Sequence, residues 1–231
     1  MAEAVHRLAS ADALQARLKA ALQQRRTDGL ERVVKVRSES NGTFDLASND
    51  YLRLAQHPDV KAAAITATER WGCSSSASPL INGFTEAHAE LLESLKDWCG
   101  FAHGMLWNTG YAANQAVLSQ LPQRGDVVLA DRLIHNSMVN GMLASGARLI
   151  RYRHLDLEHL ASLLDEHQER TVFVVTESVF SMDGDYPDLA TMAQLKEQHG
   201  FVWIVDEAHA LGWYGERGSG LCEHYGISEQ V

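Results

Sequence analysis

The sequence predicts an α/β fold, a mostly parallel sheet with helices on both faces. Three observations carry that expectation. From Asp126 onward, short apolar runs alternate with helical stretches of about 10–15 residues, the rhythm of repeated strand–helix–strand units. The run Phe201-Val202-Trp203-Ile204-Val205 has no polar break, and three of its five residues are β-branched, which reads as a strand buried on both faces. Polar groups follow the strands at Asn108-Thr109-Gly110, Asp131 to His135, Glu177 to Asp183, and Asp206 to His209. If the strands are parallel, these ends share one edge of the sheet, where open α/β sheets bind ligands.

The elements follow in order. Residues 11–26 read as an amphipathic helix, with Leu14, Leu18 and Leu22 at i, i+4 and i+8. Ser10 can cap it, Arg25 and Arg26 suit its C-terminal end, and Gly29 follows. Residues 43–47 read as a short strand, and Pro58 opens a helix that runs to Trp71. Residues 72–83 form a loop with Ser74, Ser75, Ser76, Ser78 and Pro79. A helix over 85–99 gathers Leu91, Leu92, Leu95 and Trp98 on one side, and Gly100 stops it. Residues 104–107 are expected to form a short strand, and Asn108-Thr109-Gly110-Tyr111 turns into a helix reaching about Leu121. Strands over 126–130, 147–152 and 171–176 then alternate with helices over 135–144, 156–167 and 188–199, and the 201–205 strand closes the series.

Composition narrows the function classes. The chain has 231 residues, 45% of them hydrophobic, and a net charge of −10, which argues against a surface that tracks a nucleic-acid backbone. Cys73, Cys99 and Cys222 are odd in number and widely spaced, with neither a metal spacing nor a disulfide framework, so a reducing, cytoplasmic setting is expected. No stretch approaches 18 consecutive apolar residues, and the first 21 residues carry charges and no apolar signal core, so neither a membrane partner nor a secretory leader is expected.

Asp206 and His209 stand in Val205-Asp206-Glu207-Ala208-His209. These letters fit a helicase box, where an acidic pair handles magnesium, and equally a pyridoxal-phosphate site, where the aspartate meets the pyridine nitrogen. A helicase needs a glycine-rich phosphate loop ending in Gly-Lys. None of Lys19, Lys35, Lys61, Lys96 and Lys196 follows a glycine. The bland alternative, an acidic strand end that caps the next helix, remains open for Asp206. Gly110 and Tyr111 open a helix after a strand, and the free N–H groups there make an anion site. His135 begins a helix as a cap or, beside an aromatic cofactor, as a stacking ring. Ser181 lies in a turn or presents a hydroxyl near the sheet edge. No metal site is expected. A pyridoxal cofactor would join all these positions into one site: phosphate on the helix start, Asp206 keeping the ring nitrogen protonated, His209 and Ser181 at the phenolic oxygen.

Six motifs carry a family resemblance. They are S-N-D-Y-L (Ser48 to Leu52), G-Y-A-A-N (Gly110 to Asn114), A-D-R-L-x-H-x-S (Ala130 to Ser137), T-E-S-V-F-S-M-D-G-D (Thr176 to Asp185), V-D-E-A-H (Val205 to His209) and G-E-R-G-x-G (Gly215 to Gly220). In this order they resemble the α-oxoamine synthases, fold-type-I pyridoxal-phosphate enzymes that join an amino acid to an acyl thioester with loss of carbon dioxide. The resemblance implies pyridoxal 5'-phosphate as cofactor, His135 stacked on its ring, Asp206 at its nitrogen, His209 and Ser181 at its oxygen, Gly110 and Tyr111 at its phosphate, and Asn49 near the substrate carboxylate. It also implies a homodimer. The expected substrates are alanine and a pimeloyl thioester carried by coenzyme A or acyl carrier protein, a step of biotin biosynthesis. The alternatives are a sibling synthase, such as a glycine C-acyltransferase or a secondary-metabolism member, and a truncated paralogue acting as a binding or dimerisation module.

Three departures from the family pattern stand out. The loop before Gly83 is Cys73-Ser74-Ser75-Ser76-Ala77-Ser78-Pro79 where the family is usually glycine-rich, and Arg53 stands where the family often has glycine. The family's Schiff-base lysine and small C-terminal domain lie past Val231. The expected organisation is therefore an N-terminal helical arm over 1–45 and a cofactor-binding large domain over 46–231, incomplete at its C-terminus, with the small domain absent and this piece inactive alone.

Overall fold

The computed structural model describes residues 2–36 and 45–231, and the chain divides into two units, Met1–Asn49 and Asp50–Val231. The first unit is helix α1 (Ala2–Thr27), which begins well before the expected start at residue 11. It ends in a Schellman turn: Leu30 N–H donates to Arg25 O at 2.8 Å and Gly29 N–H to Arg26 O at 3.1 Å, with Gly29 at φ 69° where a Cβ is disfavoured. The strand expected over 43–47 falls partly outside the described residues. Its described part is a turn, in which Ala47 N–H donates to Asp45 Oδ1 at 3.0 Å. A side chain that bonds its own backbone in this way competes with strand formation.

The second unit opens with α2 (Pro58–Trp71) and α3 (Glu86–Cys99). Proline at the first turn of α2 loses no helical hydrogen bond, and Gly100 ends α3 in the left-handed region at φ 77°. The loop between them contains a single π-turn, Pro79–Gly83. After α4 (Gly110–Gln120) the chain alternates: β1 (Val127–Asp131), α5 (Asn136–Ser145), β2 (Arg148–Tyr152), α6 (Leu157–Glu166), β3 (Val172–Glu177), α7 (Leu189–His199), β4 (Val202–Asp206) and the short α8 (Leu221–His224). The sheet runs β2-β1-β3-β4, and every pair is parallel.

Period-two alternation sorts the strand residues onto two cores. Val127, Leu129, Val172, Val174 and Trp203 face α6, α7 and α8, where they meet Leu160, Leu164, Leu189, Met192 and Leu221. Val128, Ala130, Phe173 and Val175 face α4 and α5, where they meet Leu118, Met138 and Met142. Each valine, leucine, methionine or phenylalanine among them, withdrawn from water, contributes about 1.5–3 kcal/mol before the entropy of ordering is counted.

Two expectations need correction. The run 201–205 is not buried on both faces: β4 is an edge strand among the described residues, and Val202 is 41% exposed. The continuous apolar run does mark a parallel strand, but the doubly buried ones are β1 and β3. Residues 104–107 form no strand, since none of the four strands pairs with them; Met105 is 75% exposed. An extended run without a ladder partner leaves its backbone to solvent.

Candidate functional site

Parallel registry brings Asp131, Glu177 and Asp206 to one edge of the sheet. Glu177 and Asp206 are direct neighbours across β3 and β4. The rigid ladder fixes their backbones, so the loops beyond them start from set positions. Asp206 is held on both oxygens. Its Oδ1 accepts from Ala208 N–H at 2.9 Å, and its Oδ2 accepts from Asn114 Nδ2 at 2.8 Å. The same Asn114 amide group donates to Ser137 Oγ at 3.0 Å. Asn114 lies one turn into α4, so the helix that Gly110 opens is tied directly to the end of β4.

The start of α4 is available to a ligand. Thr109 caps it, its hydroxyl accepting from Ala112 N–H at 3.0 Å. The N–H groups of Gly110 and Tyr111 precede the helix's own hydrogen-bond ladder. A Cβ built on Gly110 would meet no atom within 4 Å, so the space beside this helix start is open. Tyr111 extends the site sideways: its hydroxyl accepts from Asn140 Nδ2 at 2.6 Å, and its ring meets the His135 ring edge-on at 6.3 Å. His135 is exposed and caps α5, its Nδ1 accepting from Ser137 N–H at 3.2 Å and lying 2.6 Å from Ser137 Oγ. The cap reading of this histidine is therefore met, and its ring stands exposed at the start of α5.

His209 is half-buried and sits 2.6 Å from Tyr51 Oη through its Nδ1. Ser181 is exposed. The structure thus brings Gly110, Tyr111, His135 and Asp206 together through Asn114 and Ser137, and places His209 on Tyr51. Asn49 is exposed and closes the first unit. Of the three lysines in the second unit, Lys196 donates to Phe201 O at 3.1 Å, at the opposite end of β4 from Asp206, Lys96 pairs with Glu93 at 2.9 Å, and Lys61 is exposed on α2.

Sequence reasoning missed Asn114, Glu177 and Tyr51 as site residues, although each lies in a quoted motif. The signal for Asn114 was its spacing, four residues after Gly110 and so on the same helix face. Glu177 is 3% exposed, and its Oε1 accepts from His135 N–H at 2.5 Å. Burial pushes its carboxyl up to about 7, the nearby Asp206 and Asp131 charges push the same way, and the His135 and Ser181 N–H groups oppose them.

A second acidic group lies behind this edge. His154 bonds Asp131 Oδ1 through Nδ1 at 2.8 Å and Asp185 Oδ2 through Nε2 at 3.0 Å. Burial works to lower its pKa, but the two carboxylate hydrogen bonds outweigh it and the imidazole is held above its ordinary value. His154, Asp183 and Asp185 offer atoms within 4.8 Å of one another. They are nonetheless a poor metal set, because both ring nitrogens of His154 are already engaged.

The G-E-R-G-x-G motif builds structure rather than this site. Arg217 N–H donates to Glu223 Oε1, Ser219 N–H to Glu223 Oε2, both at 2.9 Å, and the Arg217 guanidinium bonds Asp97 O. Gly220 sits at φ 121°, and a Cβ there would lie 2.2 Å from Glu207 Oε2.

The chain is 42% identical over 220 residues to the 8-amino-7-oxononanoate synthase of Geobacter sulfurreducens, covering 91% of this chain and 56% of that protein. It is similar in structure to a serine palmitoyltransferase from S. paucimobilis solved with bound PLP and myriocin, with a TM-score of 0.83 and 31% identity over 93% of this chain and 58% of that one. It is similar also to the 8-amino-7-oxononanoate synthase of Francisella tularensis, with a TM-score of 0.69 and 27% identity over 81% of this chain and 52% of that one. The chain spans about half the length of the curated relatives it matches. These relatives are α-oxoamine synthases. The model of the family described as aminotransferase class I and II matches residues 41–226, and the chain belongs to that family.

Proposed function

We propose that this chain is the cofactor-binding part of a pyridoxal-phosphate enzyme. The reaction is the decarboxylative condensation of alanine with a pimeloyl thioester, releasing carbon dioxide and the free thiol and forming 8-amino-7-oxononanoate. The observation that carries the reading is the Asn114–Asp206 hydrogen bond, which joins an open helix start to a fixed carboxylate at the sheet edge. The residues fit the cofactor at both ends. The Gly110 and Tyr111 N–H groups suit its phosphate. Asp206, an acceptor on both oxygens, suits a protonated ring nitrogen, since adjacent opposite charges favour each other's ionised forms.

When bound, the cofactor supplies an electron sink for negative charge at the substrate Cα. The protein's part is to hold and orient. Asn114 and Ala208 keep the Asp206 carboxylate from turning away. Ser137 and the α5 start fix the ring of His135, the proposed stacking residue. Tyr51 orients the imidazole of His209, which with Ser181 is assigned to the phenolic oxygen. Asn49 is assigned to the substrate carboxylate by the family resemblance. The working unit is proposed to be a cytoplasmic homodimer, with coenzyme A or acyl carrier protein delivering the acyl group. No helix among the described residues is long and apolar enough to cross a membrane.

Incubation of the protein with pyridoxal phosphate, alanine and pimeloyl-coenzyme A tests the reading, with serine and palmitoyl-coenzyme A, or glycine and a short acyl donor, as competitors. Mass spectrometry should find 8-amino-7-oxononanoate in preference to the serine or glycine products. The 42% identity to the Geobacter sulfurreducens synthase, against 31% to the S. paucimobilis serine palmitoyltransferase, supports this choice of substrates. A second reading, a binding module without turnover, is favoured by the engagement of Lys96 and Lys196 away from the site. Pyridoxal-phosphate binding without product would support it.

A further inference from the structure

We propose that Ser137 is a positioning residue, the middle link of a one-way hydrogen-bond chain that runs between Asp206 and His135 through Asn114. The chain fixes His135 as the tautomer protonated on Nε2, so that the ring offers a bound ligand a donor and not an acceptor. The proposal rests on the reading above, in which His135 and Asp206 meet one cofactor, and it adds which hydrogen His135 presents there.

The direction of each link follows from the donors present. Asp206 accepts from Ala208 N–H on Oδ1 at 2.9 Å, and its Oδ2 lies 2.8 Å from the Asn114 side chain. A carboxylate has nothing to donate, so Asn114 must meet it with its amide nitrogen and not its oxygen. The second hydrogen of that nitrogen goes to Ser137 Oγ at 3.0 Å. Ser137 is thus an acceptor toward Asn114, and its own hydroxyl hydrogen must point elsewhere. It has one place to go, His135 Nδ1 at 2.6 Å. The main-chain N–H of Ser137 meets the same ring nitrogen at 3.2 Å. A nitrogen that receives two donors carries no hydrogen of its own, so the neutral ring holds its hydrogen on Nε2.

Burial protects this arrangement. Ser137 is 0% exposed, so water does not compete for its hydroxyl, whereas the His135 ring is exposed at the start of α5. The hydrogen bonds of the ring are made at Nδ1, which leaves the Nε2 hydrogen for a ligand. A donor there suits an oxygen acceptor, such as a carboxylate, phosphate or carbonyl oxygen, and disfavours an ammonium or amide N–H. The other site histidine lacks a fixed direction. Tyr51 Oη lies 2.6 Å from His209 Nδ1, and a phenol can donate or accept there. Ser137 is what makes the difference: it is placed between a donor that Asp206 has oriented and a ring nitrogen that its own main chain already marks as an acceptor.

The experiment is long-range proton–nitrogen NMR of the full chain with 15N-labelled histidine, in alkaline buffer where imidazoles are neutral. H135Q identifies the His135 signals among those of the 11 histidines. Wild type should show His135 with a protonated Nε2 and a bare, hydrogen-bonded Nδ1; a protonated Nδ1 overturns the proposal. D206N tests the direction of the chain. The Ala208 N–H cannot turn round, so the new amide nitrogen takes the place of Oδ2, and the Asn114 side chain must flip to meet it with its oxygen. That oxygen captures the Ser137 hydrogen, and Nδ1 then faces a bare hydroxyl oxygen. The His135 signals should shift toward the Nδ1-protonated form in D206N and should not respond to D206N in the S137A background. No shift in D206N, or the same shift with and without Ser137, overturns the proposal. If D206N does not fold, S137A decides: its His135 Nδ1 signal should move toward that of an unbonded ring nitrogen, and an unmoved signal overturns the proposal. Pyridoxal-phosphate affinity, read by fluorescence, should be about two- to tenfold weaker in S137A, the scale of one neutral hydrogen bond. Equal affinity in wild type and S137A also overturns it. If wild type does not bind pyridoxal phosphate, the functional reading fails, and the NMR data still decide the tautomer and the role of Ser137.

Discussion

Asn114 and Asp206, 92 residues apart in the chain, meet through a 2.8 Å hydrogen bond from the Asn114 amide to Asp206 Oδ2. The contact makes a helix start and a strand end into one object. A ligand gripping both would feel any change at either.

The first prediction follows from that pair. Asp206→Asn retains an acceptor and nearly the same volume but removes the charge opposite a bound ring nitrogen. Pyridoxal-phosphate affinity should fall, and turnover by the active enzyme should drop about 100- to 1000-fold, equivalent to about 3–4 kcal/mol, with kcat changing more than KM. Asn114→Ala should weaken cofactor binding less, since it frees the carboxylate without neutralising it. Titration of both variants with the cofactor, and steady-state kinetics, check the order. Near-normal binding by Asp206→Asn would remove Asp206 from the proposed site.

The second concerns pH. Glu177 sits at about 7 in the folded chain and near 4.5 when unfolded, so the folded state binds its proton more tightly. Stability from this group is fully present below about 4.5 and is lost as pH rises to about 7, a change of roughly 3 kcal/mol at most. The facing groups are Asp206 and Asp131, with the His135 and Ser181 N–H groups opposing them. His154, raised above 6.5 overall, adds a loss of the same sign that begins above 6.5. Denaturant midpoints of the cofactor-free chain should fall between pH 5 and 8. Glu177→Gln should flatten the lower part of that fall and His154→Gln the upper part.

A third prediction comes from Arg53. It adopts φ 57° and ψ 30°, the left-handed region that disfavours a Cβ. The glycine that the family resemblance implies for this position would meet no such penalty. Arg53→Gly relieves the local strain and increases the entropy of the unfolded chain, leaving a net gain of a few tenths to about 1 kcal/mol. Thermal melting of Arg53→Gly beside Arg53→Ala checks it: the glycine variant should melt higher and the alanine variant should not.

The fourth tests the packing beneath the site. A Cβ on Gly141 would lie 2.9 Å from Leu118 Cβ and 3.0 Å from Asn114 O, which holds α5 close against α4. Gly141→Ala should cost about 1–3 kcal/mol through overpacking and push Asn114 away from Asp206. Both a lower melting temperature and weaker pyridoxal-phosphate binding are expected. A stability loss without any binding loss would separate the helix contact from the site.

The sheet was legible because its signal is redundant. Apolar runs, glycine stops such as Gly100 and Gly200, and caps such as Asp156 all marked the same elements. What could not be read was pairing. Nothing local in 201–205 distinguishes an edge strand from an inner one, and nothing in 104–107 says that a partner strand is missing. The motif letters located Asp206, His135 and Gly110, but the contacts that hold them come from across the chain. Glu177 reads locally only as a polar group at a strand end, because the reach of its side chain to His135 exists only once β1 and β3 lie side by side. Tyr51 likewise gave no sign of His209, which follows it by 158 residues.

That last separation has a consequence for how the protein is made. A chain grows from its N-terminus at roughly 5–20 residues per second, so His209 leaves the ribosome roughly 8–30 s after Tyr51, given the 158 residues between them. The β1–β3 ladder, whose paired residues are closer in the chain, has its partners in hand well before then. The nascent sheet must therefore wait, half-edged, for the fourth strand that brings Asp206 to Asn114 and His209 to Tyr51. During that interval the apolar face of Phe173 and Val175 depends on α4 and α5 alone for cover, which makes the 110–145 helix pair the natural guard of the unfinished domain against aggregation.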